Sequence, residues 1–499
     1  MKKEQTQQVS PIIAFCMVTF GLLGLYVSIL PSGLTWANYG ADGGDFLTAI
    51  LTAGVPHPSG YPTYTLLGHI FQWLPFATPP LKASLFSAIC SALAAGLLTL
   101  WSAHQFESSP HKWIGSVITG FAWGTAPLVW GQAVIIEVHA LQALLVVCYL
   151  WWFTFIIENQ GTKRKLLLSL IGGLAIGNHL TILFLLPVLL LLFIKAIHRG
   201  VARKAIAAQL FCFLLGCTIY AVLPVYARND SPVNWGNPQN WQGFVWLISG
   251  KIYQGHIFGV DLPLLLQRFR AYATLWIDQF SAAGVAIGLL GTLEFSPKKE
   301  KLINRSLIYI FLIYSLFALT YNQNDSLLYL IPALMVFSIW IGQGSIVVLS
   351  WKWKSFSLGK IAIFLFLLTL FLRVPLHFSQ VDPRPHQQGP AQLISKLQAA
   401  PPNALILTDS DPDTFALWYA HFGANQRPDT HVIVPSLLPF DWYRATMRTV
   451  YPDLSIPNPG EEQNLDWRQK IASENVTLPL CTSKVNEKDF TEIYFICDQ

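Results

Sequence analysis

The chain has 499 residues, of which 53% are hydrophobic and only 12% charged; soluble domains carry about 25% charged residues, so an ordinary soluble protein is excluded. Charge is divided between two parts: residues 380–499 hold 9 Lys/Arg and 15 Asp/Glu, residues 1–379 hold 23 and 12. The net charge of +5 comes with no basic block interleaved with aromatics, which argues against nucleic acid, and the seven scattered cysteines with no CxxC or His-x-x-x-His spacing argue against a disulfide scaffold or a zinc site.

Met1 to Ser10 is polar with Lys2 and Lys3, and an apolar run from Pro11 to Pro31 follows. That run is long for a signal-peptide core and lacks a small-x-small cleavage pattern, so it is expected to be a retained anchor. The next segment, 32–81, holds the densest polar stretch: Asp42-Gly43-Gly44-Asp45, then His57-Pro58-Ser59-Gly60-Tyr61-Pro62-Thr63-Tyr64. Carboxylates beside a bilayer are costly unless solvated or used. Gly43 and Gly44 let the backbone turn both acids towards one cavity. A plain structural role for Asp45 is the N-cap of a helix starting at Phe46, and for Asp42 a solvated loop acid. A functional Asp42 would be a general base taking a proton from an acceptor hydroxyl. His57 lies in a turn stiffened by two prolines; beside the aspartates it is expected to line a site, with Tyr61 and Tyr64.

Further apolar runs of spanning length fall at 82–104, 113–131 and 138–157. Glu137 and His139 sit where the last of these begins. Residues 166–194 are flanked at both ends by Lys/Arg clusters, which prefer the cytoplasm, and are interrupted by Gly177-Asn178-His179. Two short helices meeting at the outer side are expected, with Asn178 and His179 facing a cavity. Mutual satisfaction of these polar groups is the simpler role for all four residues. Runs at 205–227, 273–293, 306–321, 327–349 and 361–378 complete a bundle of about eleven transmembrane helices. The basic stretches Lys298-Lys299-Glu300-Lys301 and Lys352 to Lys360 then fall inside, with the N-terminus.

Three segments are left at the outer face: 32–81, 228–272 and 322–326. Arg228, with Lys251 as second candidate, could hold an anionic phosphate there; the common alternative is an Arg snorkelling to headgroups. Trp36, Trp73, Trp130, Trp235, Trp241 and Trp246 mostly read as an aromatic belt. Residues 380–499 follow as an extracytoplasmic α/β domain. A proline-marked linker surrounds a helix at 391–399. Strands are expected at 404–408, 431–435 and 493–497, with an aromatic helix at 414–422. Cys481 and Cys497 can pair if this part lies outside the cytoplasm.

The first motif, with its acid-small-Gly-acid and His-Pro-x-Gly-Tyr-Pro-x-Tyr pattern over Asp42 to Tyr64, resembles the signature of a family of multi-pass membrane proteins long filed as a domain of unknown function. That family includes the transmembrane protein 260-like protein O-mannosyltransferases. Glu137-Val138-His139-Ala140-Leu141 is similar to its second motif, usually with Tyr in place of His139, and Gly177-Asn178-His179-Leu180-Thr181 to its third. Arg228 with Asn234-Trp235-Gly236-Asn237-Pro238 resembles a fourth, and Leu407-Thr408-Asp409 through Trp418-Tyr419 the start of its outer domain. The resemblance implies a C-type (GT-C) membrane glycosyltransferase: a GT-C-like helical bundle over 1–379, a lipid-linked sugar donor, and a catalytic acid in the first outer loop. By position Asp42 would be the base and Asp45 the second acid.

The resulting expectation is transfer of a sugar from a polyprenyl-phosphate donor, drawn from the membrane lipid, to a hydroxyl on a protein, lipid or glycan acceptor, by single displacement with inversion. No nucleotide loop is needed for such a donor. The paired acids could hold a divalent cation. Two rivals belong to other classes: a transporter or flippase using the same cavity without chemistry, and a membrane-anchored binding protein whose tail is the working part.

Overall fold

The structure, a computed structural model, describes residues 10–294, 301–352, 357–459, 466–486, 490 and 492–498. Lys2, Lys3, the Lys298-Lys299-Glu300 stretch and part of the Lys352–Lys360 loop lie outside the described residues.

The membrane part is helical. α1 (Pro11–Val27) leads to α2 (Gly43–Thr52) and α3 (Pro62–Gln72) in the first outer segment. α4 (Pro79–Gln105), α5 (Lys112–Gly124), α6 (Pro127–Ala133) and α7 (His139–Ile157) follow. The 113–131 run is cut because Pro127 cannot donate into a continuous helix. The 166–194 run is broken where the sequence predicts: α8 (Thr162–Ile176) stops, a 3-10 turn spans Leu180–Leu185, and α9 (Leu186–His198) continues. Between them His179 is extended (φ −159°, ψ 134°).

α10 (Arg203–Cys217), α11 (Val222–Tyr226) and α12 (Trp241–Ile248) carry the chain through the second outer segment. The bundle closes with α13 (Leu262–Glu294), α14 (Lys301–Thr320), α15 (Ile331–Leu349) and α16 (Leu358–Val381). α15 is apolar on every side and almost wholly buried, as the central helix of a bundle must be. Small residues bring its backbone close to α13: a Cβ on Gly344 would sit 1.9 Å from the Ile287 carbonyl oxygen, the usual way membrane helices approach. α13 bends at Ser281 (φ 63°), and the buried Arg373 of α16 donates to the freed Asp278 carbonyl at 2.5 Å.

Among the described residues eight helices are long and apolar enough to cross a membrane, against the eleven expected. All ten apolar runs contain helix, but α1, α5 and α8 have 17, 13 and 15 residues. At 1.5 Å per residue they fall short of a hydrocarbon core of about 30 Å.

The C-terminal part opens with α17 (Gln388–Gln398) and holds a four-stranded sheet: β1 (Leu405–Leu407), β2 (His431–Ile433), β3 (Leu480–Val485) and β4 (Ile493–Cys497), in the order β2-β1-β3-β4. β1 runs parallel to both neighbours, while β3 and β4 are antiparallel. β3 went unanticipated, although its alternating burial is what a half-covered strand shows. Cys481 and Cys497 are directly opposed across β3 and β4 and form a disulfide. α18 (Asp411–Trp418) begins with a capping box between Ser410 and Asp413.

The two parts are fitted together at α18 and α2. Gly44 makes this possible: a Cβ there would lie 2.3 Å from the Phe415 carbonyl oxygen. Gly44→Ala is therefore expected to destabilise the protein by about 1–3 kcal/mol and to loosen α18 from α2. A lowered unfolding midpoint with faster proteolysis between residues 380 and 400 would register it; an unchanged midpoint would show that the contact is slack.

Candidate active site

The first and second outer segments are stitched by a parallel bridge between Val55 and Asn234. The Val55 N–H donates to the Val233 carbonyl (2.8 Å), and the Trp235 N–H to the Val55 carbonyl (3.1 Å). This sets Trp235 beside the start of α2. The Asp45 carboxylate there is completely buried and takes three hydrogen bonds: from the His57 backbone N–H (2.9 Å), from His57 Nδ1 (2.7 Å) and from Trp235 Nε1 (3.2 Å). Asp45 is thus no N-cap. It lies in the first turn of α2 and fixes the imidazole.

The other ring nitrogen, His57 Nε2, stands 3.7 Å from Asp42. Asp42 precedes α2, with 37% of its side chain exposed, and that exposure is into a cavity of 1180 Å³. Asp42, His57, Tyr61, Glu137, His139 and His179 all line it. Burial, with the repulsion of Asp45, raises the Asp42 pKa above the usual carboxylate value, against the lowering pull of His57. Burial pulls His57 down, but Asp42, the Asp45 hydrogen bond and Glu137 outweigh it and hold the imidazole at about 9. His57 is therefore an imidazolium at neutral pH, paired with Asp45 behind and Asp42 in front. Glu137 is buried at the start of α7, and burial with the nearby Asp42 pushes it well above the carboxylate range. Its Oε2 accepts from the Val138 N–H at 2.8 Å.

Other expected site residues stand elsewhere. Asp45 does not line the cavity, so it acts through His57. Tyr64 is core, its ring 5.3 Å from that of Phe46. Asn178 is buried and donates to the Val138 carbonyl (3.3 Å) and to Gln142 (3.2 Å), tying the broken helix to α7. Arg228 and Lys251 are exposed and outside the lining; Gly250 and Tyr253 beside Lys251 do line it.

Three contributors were not anticipated. Trp235 read as belt but holds Asp45. Asp325, in the short 322–326 segment, lines the cavity and is raised to about 6 by burial and Asp42. Phe415 of α18 lines it too, stacked 6.4 Å from His57. A carboxylate in a five-residue polar linker was a signal available for Asp325; nothing in the sequence marked Phe415. Among the described residues no three of His, Cys, Asp and Glu gather as a metal site, and the ring of His57 stands between Asp42 and Asp45.

A family model described as the Protein O-mannosyl-transferase TMEM260 N-terminal domain matches residues 42–200, from Asp42 through the second and third motifs. A second, TMEM260-associated domain 2, matches residues 392–494. Among curated proteins, the chain is 23% identical to Protein O-mannosyl-transferase tmem260 of Dictyostelium discoideum over 84% of its own length and 57% of the relative's. It is 22% identical to the Mus musculus protein of the same name over 84% of this chain and 62% of that one. The chain thus spans about three fifths of the length of the relatives it matches. Among solved structures, ArnT from Cupriavidus metallidurans bound to undecaprenyl phosphate superposes with a TM-score of 0.56 at 12% identity, covering 95% of this chain and 93% of that one. The archaeal oligosaccharyltransferase AglB from Archaeoglobus fulgidus, in complex with an inhibitory peptide and a dolichol-phosphate, gives 0.50 at 11% identity, covering 95% and 69%.

Proposed function

We propose, from the matches of residues 42–200 and 392–494 to the TMEM260 family models and from the ArnT-like GT-C fold, that the chain is a membrane glycosyltransferase using a polyprenyl-phosphate-linked sugar. The observation that carries the reading is the Asp45–His57–Asp42 array, with His57 and Asp42 lining the cavity and Asp45 buried behind them. In the reaction, an acceptor hydroxyl oxygen bonds to the anomeric carbon as the bond from that carbon to the phosphate oxygen breaks. The electron pair leaves with the phosphate, and Asp42 takes the hydroxyl proton. Attack opposite the leaving group inverts the anomeric centre. His57 and Asp45 keep Asp42 aimed and moderate its charge.

The names of the relatives make mannose the first sugar to test and a protein hydroxyl the first acceptor. The ligands of the ArnT and AglB structures support a single-chain lipid carrier. The N-terminus would be cytoplasmic and the cavity and C-terminal domain extracytoplasmic. The Cys481–Cys497 disulfide supports this side for the tail, because disulfides persist outside reducing compartments.

The test is transfer in detergent micelles from a panel of polyprenyl-phosphate sugars to a hydroxyl-rich peptide, following release of polyprenyl phosphate. Turnover with at least one donor is expected. Movement of donor lipid across vesicles without turnover would instead make the protein a flippase.

A further inference from the structure

His139 and His179 stand side by side in the cavity wall, their rings 5.5 Å apart. Tyr329 completes the group, 5.9 Å from His139 and 5.6 Å from His179. Both imidazoles are more than nine-tenths buried. The tautomer of His179 follows from its bonds: the Thr181 backbone N–H donates to Nδ1 at 3.2 Å, so the proton of the neutral ring is on Nε2. That Nε2, and both nitrogens of His139, make no hydrogen bond among the described residues. Polar groups buried this deeply are ordinarily satisfied; here the donors are turned to a cavity.

The wall beside this group is apolar. Phe317 lies 5.0 Å from Tyr329 and 5.1 Å from Phe184. Leu183 and Leu316 line the same cavity yet are 40% and 48% exposed. Leu316 continues an exposed stripe with Ile308 and Leu312 at four-residue spacing along α14, which is one helix face. The cavity therefore opens sideways, between the Leu180–Leu185 turn and α14, onto the apolar outer surface of the bundle. Among the described residues no Lys or Arg lines it. In this part of the wall the two imidazoles and Tyr329 are side chains able to donate hydrogen bonds to an anion.

We propose that His139 and His179, with Tyr329, form the phosphate subsite for a polyprenyl phosphate whose apolar chain leaves through the opening beside Leu183 and Leu316. The proposal rests on the glycosyltransferase reading for the identity of the lipid, and it replaces Arg228 and Lys251 as holders of the phosphate.

Equilibrium binding to the full-length protein in nanodiscs tests it, read by phosphorus NMR for a short-chain polyprenyl phosphate and by competition for the matching uncharged polyprenol. His139→Phe keeps the ring and orphans no partner; it is expected to weaken polyprenyl phosphate about tenfold or more and leave the polyprenol unchanged. His139→Tyr, which restores a donor, is expected to recover most of that loss. Leu316→Trp, on an exposed face that tolerates bulk, should weaken both lipids. Arg228→Ala and Lys251→Ala should bind as wild type. Equal phosphate binding by wild type and His139→Phe overturns the subsite, as does a loss confined to Arg228→Ala or Lys251→Ala, or no binding by wild type. Binding that follows the expected pattern without any sugar transfer leaves the lipid site standing and removes the glycosyltransferase reading instead.

Discussion

Asp42→Asn is expected to lower sugar transfer by about 10²–10⁴-fold while the protein folds and binds donor as before. The substitution is isosteric. Among the described residues Asp42 makes no side-chain hydrogen bond that Asn would lose, and its closest charged partner there, His57 Nε2, is at 3.7 Å. The loss is therefore that of the proton acceptor, read as kcat with KM for the donor little changed. Turnover equal to wild type would remove Asp42 from the chemistry and leave Glu137, Asp325 or Asp411 as the cavity acids to examine.

The pH profile carries the same argument in a second form. Asp42 must be ionised to accept a proton, and burial raises its pKa, so the acid limb of kcat/KM should lie above the ordinary carboxylate range. His57 is charged up to about 9, so an alkaline limb should appear there as the imidazolium between the two aspartates is lost. His57→Gln has no charge to lose. Its alkaline limb near 9 should vanish and its acid limb move to higher pH, because removing a neighbouring cation raises a carboxylate pKa. A profile that keeps both limbs in this variant would show that His57 is not the group titrating at the alkaline end.

What could be read in advance follows from how local each signal is. Asp42 to Tyr64 is one continuous stretch with its own turn chemistry, so the acids, His57 and Tyr61 were legible together. The break at Gly177-Asn178-His179 was legible because flanking positive charge forbade a single crossing. Roles that depend on packing between distant segments were not. Trp235 reaches Asp45 only through the bridge from Val55 to Asn234, and Phe415 reaches the cavity only because Gly44 lets α18 close on α2. Arg228 and Lys251 carry the charge a phosphate needs, but charge alone does not say which way a side chain turns, and neither lines the cavity. Apolar content alone did not reveal the break before Pro127 or how short α1 and α8 are.

Asp45→Asn is expected to cost about 3–5 kcal/mol of stability, the usual consequence of removing one partner of a buried ion pair, and to reduce transfer severely although Asp45 never meets substrate. The carboxylate accepts from three donors: two N–H groups of His57 on Oδ2 and Trp235 on Oδ1. An amide can accept on one side only. Its NH₂ must face either the imidazolium or the indole N–H, so at least one buried donor is orphaned whichever way it turns. The pH dependence separates this from a general loss of packing. In the wild type Asp42 first, and Asp45 with it, raise the pKa of His57 from 6.5 to about 9, so the stability that the charged ring gains from these carboxylates, Asp45's share included, is fully present below about pH 6.5 and is lost as pH rises through about 9. The stability gap between wild type and Asp45→Asn should therefore be widest at or below neutral pH and narrow towards pH 9, as read from unfolding midpoints across that range. The alkaline limb of activity should also shift to lower pH in the variant, since His57 loses the acceptor that keeps it protonated. A gap constant with pH would mean that Asp45 serves only as a packed polar group, and that the charge of His57 is held by Asp42 alone.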